Sequence, residues 1–485
     1  MHFNIPKNSF GLFRLFLSNA EQDDLWESLT EVAHLKRSLD ASLSVKKIMD
    51  TWTLQMGYPV INIQRDYVAN TITITQNRFL SAIPEKSKDN HNYKWWVPIT
   101  FDFEGGHFNG TRNEYWLSPN ADSLVIDLPE DSKEKALIVN VQQTGYYRVN
   151  YDLENWNKIT KALKNDPKTI HRTNRGQIFN DVFSLAKVGQ VPYKVALDAT
   201  KYFYNEKDSI PWRSVLYGFR YIKRMFWRSP AYGLLKRYLE KEMRPVYRSL
   251  GYFKQHKSES IDDEELRTSV VEMMCDLGYD DCKKQSRQLF KDWMNSADPK
   301  AGNEIDANLR QNVYCEAIKQ GDEKEWLFLW NQLKYASNAN EKRSIMYGLS
   351  CTSEVWILQR YLSLTIDPTS EIRKQDGASV VSYIARNPLG RFLTWDWIRN
   401  DWVKISNYFD TAISSSVGKM IKSVAANFNT PYELKELEDF FEEHQNELGT
   451  ARGTTLNVLE SVRANVHWME NYYDDIADWL NKNVN

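Results

Sequence analysis

The sequence predicts an α+β fold that is mostly α, with a small all-β sandwich followed by a large HEAT-like α-superhelical domain. Between about Gly57 and Tyr151, short segments of alternating apolar and polar residues are separated by Gly, Pro, Asn and Asp, a pattern typical of a compact sandwich. After Asp152 the apolar residues recur at helical spacing, in segments of about 12 to 20 residues. Paired helices of this kind bury their apolar faces against neighbouring pairs, which favours a HEAT-like stack.

The break Gly57-Tyr58-Pro59 marks the first domain boundary, because Gly frees the backbone and Pro ends a helix. Residues 1–56 form a helical segment too short to be a domain. Its apolar residues recur at helical spacing, at Leu12, Phe13, Leu15, Phe16, Leu25, Trp26, Leu29, Val32 and Leu35. Ser18 or Asn19 is expected to cap one helix, which acidic residues in its first turn would stabilise. The predicted domains are residues 1–56, 57–151 and 152–485.

Seven strands are expected in the sandwich. They span residues 60–64, 71–79, 93–103, 114–117, 124–128, 136–142 and 146–149. In the second of them, Ile72 and Ile74 alternate with threonines, so one face is apolar and the other carries hydroxyl groups.

Length and composition exclude several classes of protein. The chain has 485 residues, of which 42% are hydrophobic and 13% aromatic, enough for packed cores in about three domains. Its 62 basic and 64 acidic residues give a net charge of −2 without a clustered basic stripe, so no nucleic-acid partner is expected. No apolar run approaches the ~18 residues of a spanning helix, and the first residues lack the plan of a signal peptide. Direct membrane insertion by this chain is therefore not expected, and these features alone favour the cytosol.

The cysteines and one glycosylation sequon leave the compartment open. Cys275, Cys282, Cys315 and Cys351 are an even number, compatible with two disulfides or with four buried thiols. No histidine lies near enough in sequence to suggest a zinc knuckle. The sequon at Asn109 fits a secreted surface loop, but such triplets also occur by chance in cytosolic chains.

No catalytic residue and no metal ligand can be assigned from sequence motifs. The eight histidines include no two that are four residues apart, so the zinc motif His-Glu-x-x-His is absent. Gly418 and Lys419 resemble the end of a phosphate loop, but Ile413 and Met420 replace the Gly and the Ser/Thr that such a loop needs. Three tryptophans at near-helical spacing are interpreted as core residues rather than an aromatic cage; they are Trp395, Trp397 and Trp402.

Several runs of residues resemble one family in the same order along the chain. They are Met-Asp-Thr-Trp-Thr-Leu-Gln-Met-Gly-Tyr-Pro-Val at 49–60, Gln-Thr-Gly-Tyr-Tyr-Arg-Val-Asn-Tyr-Asp at 143–152, Asn-Arg-Gly-Gln-Ile-Phe-Asn-Asp-Val-Phe at 174–183, Arg-Lys-Gln-Asp at 373–376 and Ala-Asn-Val-His-Trp at 464–468. Together they resemble the C-terminal half of the aminopeptidase N family, which are zinc metallopeptidases of the gluzincin type. The resemblance covers the end of the catalytic domain, the β-sandwich and the C-terminal helical domain.

This resemblance implies a parent enzyme that uses zinc to remove N-terminal residues from peptides. The chain lacks both His-Glu-x-x-His and the Gly-x-Met-Glu-Asn strand that holds the amine of the substrate. It would therefore carry no cofactor itself, be inactive alone, and supply the cleft-covering and interaction domains. The alternative is a catalytically inactive binding or receptor module that uses its curved helical surface for protein partners.

The resemblance also implies specific sites. The disulfides would be Cys275–Cys282 and Cys315–Cys351, the parent would lie at the plasma membrane or outside the cell, and Asn109 would be glycosylated. A homodimer could form through the helical domain.

One helix of the family contributes side chains to the substrate cavity. By order along the chain it corresponds to about residues 414–419, which gives Ser415, Ser416 and Lys419 as candidate cleft-lining residues, where the family has aromatic and amide side chains. The alternative is a solvated helix start with serine caps.

Overall fold

A computed structural model of the chain describes residues 19–81, 92–111, 115–253, 259–300, 302–409 and 414–484. Helices predominate and the sheets have only two to four strands, which confirms the predicted mostly α fold class with a small β part. Leu12, Phe13, Leu15, Phe16, Glu114 and Ile413 lie outside the described residues. The chain divides into two compact units, Met1–Tyr202 with Ile210–Gly218, and Phe203–Ser209 with Phe219–Asn485. The domain boundaries predicted from the sequence stay predictions.

Among its described residues, the first unit contains eight strands and five complete α-helices. The strands are β1 Pro59–Asp66, β2 Thr71–Arg78, β3 Val97–Ile99, β4 Phe101–Phe103, β5 Tyr115–Leu117, β6 Leu124–Asp127, β7 Leu137–Val139 and β8 Arg148–Tyr151. The helices are α1 Gln22–Leu35, α2 Val45–Thr53, α3 Leu153–Asn165, α4 Arg172–Lys187 and α5 Tyr193–Thr200. One sheet has the order β6-β2-β1-β8, and two smaller sheets pair β3 with β5 and β4 with β7. Strands β1 and β2 are antiparallel, with Ile63 opposite Ile74.

Helix α1 begins later than the sequence analysis placed it. The helix starts at Gln22, and the Asp24 carboxylate accepts the backbone N–H of Glu21 at 2.8 Å. The expected cap at Asn19 is therefore wrong, because an acidic side chain inside the first turn satisfies the preceding amide. The other candidate cap, Ser18, lies outside the described residues.

The segment expected to form one strand over 93–103 forms two short strands instead. Thr100 separates β3 from β4, and its backbone carbonyl and side-chain hydroxyl accept the N–H groups of Asn140 and Val141 at 2.7 and 3.0 Å. Asn140 has a left-handed backbone with φ of 68°, which also ends β7 earlier than predicted. The predicted strand over 93–103 is therefore interrupted at Thr100, and the predicted strand over 136–142 ends at Val139, because Thr100 bonds to the turn that follows β7.

Polar residues of α4 bond to the backbone at the ends of the neighbouring strands. Gln177 donates to the Val139 carbonyl at 3.3 Å, and Asp181 accepts the N–H of Val149 at 3.1 Å. Asn174 accepts a backbone N–H from the turn after β7 at 2.8 Å. These three residues lie on one helical stripe. Their bonds explain why a buried helix face carries amide and carboxyl groups, which are costly to bury without partners.

The second unit is helical. Its helices are α7 Tyr232–Ser249, α8 Ile261–Asp276, α9 Asp280–Met294, α10 Arg310–Gln320, α11 Glu323–Gln332, α12 Ala339–Leu349, α13 Val355–Leu364, α14 Lys374–Arg386, α15 Gly390–Asn400, α16 Trp402–Phe409, α17 Ser416–Ala425, α18 Pro431–His444 and α19 Arg452–Asn483. Helix α6, Ser209–Phe226, is divided between the units, and its last residues from Phe219 belong to the second.

The helices of the second unit pack in a regular succession. Helix α8 contacts α10, α10 contacts α12, α12 contacts α14, α14 contacts α17 and α17 contacts α19. We call these six helices the inner row; α9, α11, α13, α15, α16 and α18 pack against its members. Helix α7 contacts both α8 and α19. The first and the last helix of the inner row therefore pack against the same helix. Each helix buries its apolar side against the next pair, as stacked helical repeats do.

Candidate functional site

The start of α17 contains the three predicted cleft-lining residues. Ser415 is exposed and Ser416 is half-buried. The Ser414 hydroxyl accepts the N–H of Ser416 at 3.2 Å and lies 2.8 Å from its hydroxyl oxygen. Ser415 precedes the helix without a side-chain cap bond. The serine that bonds to the helix start is therefore Ser414, and Ser415 remains exposed.

Lys419 lies one turn after Ser415 on the exposed side of α17. Its Nζ donates to the hydroxyl of Ser379 on α14 at 2.8 Å, while Met420 and Ile421 are buried. Ser415 and Lys419 thus share one face of the helix, as residues four apart do. Whether these residues line a substrate cleft stays a prediction.

Lys419 belongs to a larger surface that the sequence analysis missed. We define the row face as the exposed or half-buried polar and aromatic side chains of five inner-row helices. They are Glu272 on α8, Lys319 on α10, Tyr347 on α12, Ser379, Tyr383 and Arg386 on α14, Lys419 on α17, and Ser415 directly before α17. The three α14 residues are spaced as neighbours on one helical face, next to an apolar face. This spacing is the signal in the sequence from which the row face could have been predicted.

Aromatic and charged contacts connect neighbouring helices across the row face. The rings of Tyr347 and Tyr383 meet edge to face at 5.5 Å, and the Arg386 guanidinium lies 5.8 Å from the Tyr383 ring. Burial raises the pKa of Tyr347, and the nearby Glu272 carboxylate raises it further. Both tyrosines are only half-buried. The face can therefore offer stacking surfaces and hydroxyl groups to a bound chain.

Basic groups of α6 meet the row face at α8. Arg220 pairs with Glu272 at 3.4 Å, and Lys223 pairs with Asp276. Burial lowers the pKa of Lys223 to about 8, and the positive charges of Lys319 and Arg220 lower it further, while Glu272 opposes them. This end of the row face combines charges of both signs within one cluster, which suits hydrogen bonding to a polar ligand.

No metal centre can be built from the side chains described. In the ranges given above, no three His, Cys, Asp or Glu side chains lie together as a metal site would require. Gly418 lies inside α17 rather than in a loop, and a Cβ there would lie 3.3 Å from Ala451. A glycine at this position lets α17 pack closely against Ala451, and this packing explains the Gly-Lys pair without a phosphate-binding role.

The tryptophans interpreted as core residues are largely buried. Trp395 and Trp402 each lie 5.2 Å from the ring of Phe440, and both are buried. Trp397 is half-buried. The core interpretation therefore holds for two of the three.

Both disulfides implied by the family resemblance are present. Cys275–Cys282 joins α8 to α9, and Cys315–Cys351 joins α10 to the turn after α12. The second bond therefore fixes two members of the inner row to each other, next to Tyr347. The alternative of four buried thiols is not what the structure contains.

Asn109 lies in an exposed loop, and its carbonyl accepts the N–H of Thr111 at 2.9 Å. The side chain is thus accessible for modification. Within the described part of the chain, none of the helices is both long and apolar enough to cross a bilayer.

Comparison with known proteins assigns the family. The profile of the ERAP1-like C-terminal domain family matches residues 136–464. The chain belongs to this family. It is also 36% identical to human aminopeptidase N over 473 residues, which is 95% of the chain and 46% of that protein. For the rat thyrotropin-releasing hormone-degrading ectoenzyme the identity is 32% over 474 residues, covering 96% of the chain and 43% of that protein.

The chain spans about half the length of the curated relatives it matches. A third relative, chicken aminopeptidase Ey, is 33% identical over 481 residues and is likewise matched over 47% of its length. The predicted resemblance to the C-terminal half of aminopeptidase N is confirmed.

Proposed function

We propose that this chain is the C-terminal portion of a zinc aminopeptidase that removes N-terminal residues from peptides. The observation that carries the proposal is the match to human aminopeptidase N over 95% of the chain. In this proposal the row face borders the substrate cleft and contacts the peptide away from the bond that is cut. Such remote contacts can raise kcat/KM, since binding energy from distant parts of a substrate contributes to the transition state.

The composition of the row face supports a peptide as its ligand. Lys319, Arg386 and Lys419 can donate to backbone carbonyls or acidic side chains, and Glu272 can accept from a backbone amide. Tyr383 offers a half-buried aromatic ring and a hydroxyl group. These are groups that recognise an extended polypeptide without demanding one sequence.

The zinc ion implied by the family does not fit the described side chains, which bring no suitable set of ligands together. No catalytic step is therefore assigned to this chain. Its contribution in the proposal is to bind and enclose the peptide, and enclosure strengthens polar contacts by excluding water.

We also propose an extracellular or cell-surface location. Two disulfides are typical of oxidising compartments, and the exposed sequon at Asn109 is open to glycosylation in the same compartments. Homodimerisation through the helical part is the remaining partner proposal.

Complementation between two polypeptides tests the function. The purified chain alone should not hydrolyse leucine p-nitroanilide. Mixing it with a separately produced polypeptide that carries the His-Glu-x-x-His half of human aminopeptidase N should produce turnover that a chelator abolishes. Hydrolysis by the chain alone, persisting after purification to homogeneity, would contradict the proposal. A stable complex without turnover would support the inactive binding module instead.

Variants of the row face test the contact with the peptide. Lys419→Ala and Tyr383→Phe should raise KM for longer peptides in the complemented enzyme and leave leucine p-nitroanilide unaffected. Lys435→Ala is the matched control, because this exposed lysine of α18 pairs with Asp439 away from the row face. Equal KM values for all three variants and the unaltered chain would exclude the row face from substrate binding.

A further inference from the structure

Asn109 and Gly110 form the one Asn-Gly pair in the chain. Both residues are exposed and lie in the loop that follows β4. Among the described residues, the carboxamide of Asn109 has no hydrogen-bond partner. It can therefore turn towards the backbone of the residue that follows it.

The loop is fixed directly before this pair. Phe108 is only 2% exposed. Its backbone N–H donates to the Asp102 carboxylate at 2.7 Å, and its carbonyl accepts from the side-chain amide of Gln142 at 2.8 Å. These contacts hold the loop to the sandwich without involving either residue of the Asn-Gly pair. A chemical change at Asn109 would thus leave the fold of the sandwich intact.

The backbone nitrogen of Gly110 is accessible. A tight turn is closed by the N–H of Thr111, which donates to the Asn109 carbonyl at 2.9 Å. The N–H of Gly110 has no acceptor in the described part of the chain. Glycine has no Cβ to crowd its nitrogen, and its backbone reaches conformations closed to other residues. The Gly110 nitrogen and the Asn109 side chain are therefore adjacent and unhindered.

We propose that Asn109 is a site of spontaneous deamidation. The Gly110 nitrogen loses its proton to solvent and attacks Cγ of Asn109, and the Cγ–Nδ2 bond breaks with release of ammonia. Attack within one molecule is favoured because the reacting atoms are held close together. Water then opens the resulting succinimide ring at either carbonyl, which gives aspartate or isoaspartate. The net reaction consumes one water molecule and releases one ammonia molecule.

Deamidation and glycosylation compete for the same atom. Thr111 completes the sequon, and a glycan would be attached to Nδ2 of Asn109, which is the atom that deamidation removes. A chain that has deamidated can no longer be glycosylated at this position, and its loop carries one additional negative charge. The inference does not depend on the proposed aminopeptidase function, since it concerns only the loop after β4.

Incubation of an unglycosylated chain tests the reaction. Thr111→Ala removes the sequon and keeps the Asn-Gly pair. Peptide mapping by mass spectrometry should show the Asn109 peptide gaining about 1 Da over time, with two products that separate by chromatography. The gain should be faster in mildly alkaline buffer, because the attacking nitrogen must lose a proton. Asn295 is the internal control: it is also exposed, but the N–H of Ser296 donates to the Trp293 carbonyl at 3.1 Å, so its peptide should keep its mass.

A second substitution tests the role of the glycine. A Cβ at Gly110 would meet no atom within 4 Å, so Gly110→Ala in the Thr111→Ala background should fold normally. It should slow deamidation roughly tenfold, because the Cβ restricts the backbone and crowds the nitrogen. Equal rates with glycine and alanine at this position would overturn the mechanism.

A synthetic peptide of residues 106–111 measures the restraint that the fold imposes. Asn109 in the folded Thr111→Ala chain should react within about tenfold of the rate in the peptide, because exposed loops are only weakly restrained. If Asn109 stays unmodified in the folded chain after the peptide has reacted, the site is shielded and the proposal is wrong. In the unaltered chain, molecules that carry a glycan on Asn109 should show no change in mass; deamidation at equal rates with and without the glycan would refute the competition.

Discussion

At the scale of single residues, Glu242 on α7 is a carboxyl group with no ion pair among the described residues. One of its oxygens accepts the N–H of Tyr204 at 3.1 Å. Burial raises its pKa to about 7, against the opposing effects of Lys241 and the Tyr204 N–H. Since the ordinary value is 4.5, the folded chain favours the protonated form. The protonated Glu242 contributes fully to the stability of the folded chain below about pH 4.5, and this contribution is lost as the pH rises through 7.

Glu242→Gln should therefore remove a pH dependence of stability. The variant and the unaltered chain should unfold at similar midpoints at pH 4.5. At pH 8 the variant should be the more stable, by at most about 3.5 kcal/mol, since the pKa rises from 4.5 to about 7 and one pKa unit corresponds to about 1.4 kcal/mol. Urea titrations at several pH values measure the difference. The control is Glu240→Gln, whose carboxylate pairs with Arg244; a matching shift in this variant would refute the assignment to Glu242.

The burial of Glu242 could be predicted from the sequence, but its hydrogen-bond partner could not. Leu239, Glu242, Met243 and Val246 follow the spacing of one apolar helical stripe, so a buried position could have been inferred. The partner, however, is a backbone amide 38 residues away. No local pattern contains such a contact.

At the scale of elements, one glycine controls how closely two inner-row helices approach. A Cβ on Gly348 of α12 would lie 2.6 Å from the Cβ of Tyr314 on α10. Gly348→Ala should destabilise the chain by about 1–3 kcal/mol, because the helices would have to move apart. Gly233→Ala on α7 is the matched control, since its nearest neighbour is a flexible arginine tip at 3.8 Å. There alanine should be neutral or stabilising by up to ~1 kcal/mol. Urea denaturation of both variants checks the contrast.

The two disulfides should contribute unequally to stability. Cys315–Cys351 closes a loop over a sequence separation of 36 residues, and Cys275–Cys282 over 7. In the chain-entropy model the longer loop contributes about 4 kcal/mol and the shorter one about 2 kcal/mol. Paired Cys→Ser substitutions, Cys315 with Cys351 and Cys275 with Cys282, should lower the unfolding midpoint in that order. The reverse order would show that native contacts around the short loop outweigh loop entropy.

Most elements could be predicted from periodicity, whereas several of their ends could not. The alternation in β2 and the helical stripes of the second unit are local properties of the sequence. The division between β3 and β4 depends on Thr100, which bonds to a turn 40 residues later. The start of α1 depends on competition between several possible caps. Contacts across the fold and small free-energy differences therefore set these boundaries.

At the scale of the whole molecule, the return contact of α19 with α6 and α7 is the feature that periodicity could not reveal. Stacked helical pairs were predicted, but a pattern of local repeats does not show that the last helix packs against the first. Trp468 of α19 is buried and meets Tyr221 and Phe226 of α6 at 5.3 and 6.2 Å. Tyr221 also donates to Asn465 at 3.0 Å.

Trp468→Ala should therefore weaken the closure of the second unit. Truncation of a buried tryptophan costs about 3–5 kcal/mol. The loss should be accompanied by earlier proteolytic cleavage within α19. Leu456→Ala on the same helix is the control, because Leu456 is 42% exposed, and it should change stability by about 0.5 kcal/mol or less. Equal losses of stability for the two variants would indicate that α19 acts only through its helical propensity.

The return contact has a consequence during synthesis at the ribosome. Tyr221 and Asn465 are separated by 244 residues, and a chain emerges at about 5–20 residues per second. The end of α6 that receives α19 must therefore wait about 12–50 seconds, with Tyr221 and Phe226 uncovered by that helix, while the intervening helices are made. Helices α8 to α17 can pack in order as they appear, but the first of them remain incomplete until the last arrives. Because contacts between distant parts of a chain form slowly, we expect the packing of α19 to be a late step in the folding of the second unit.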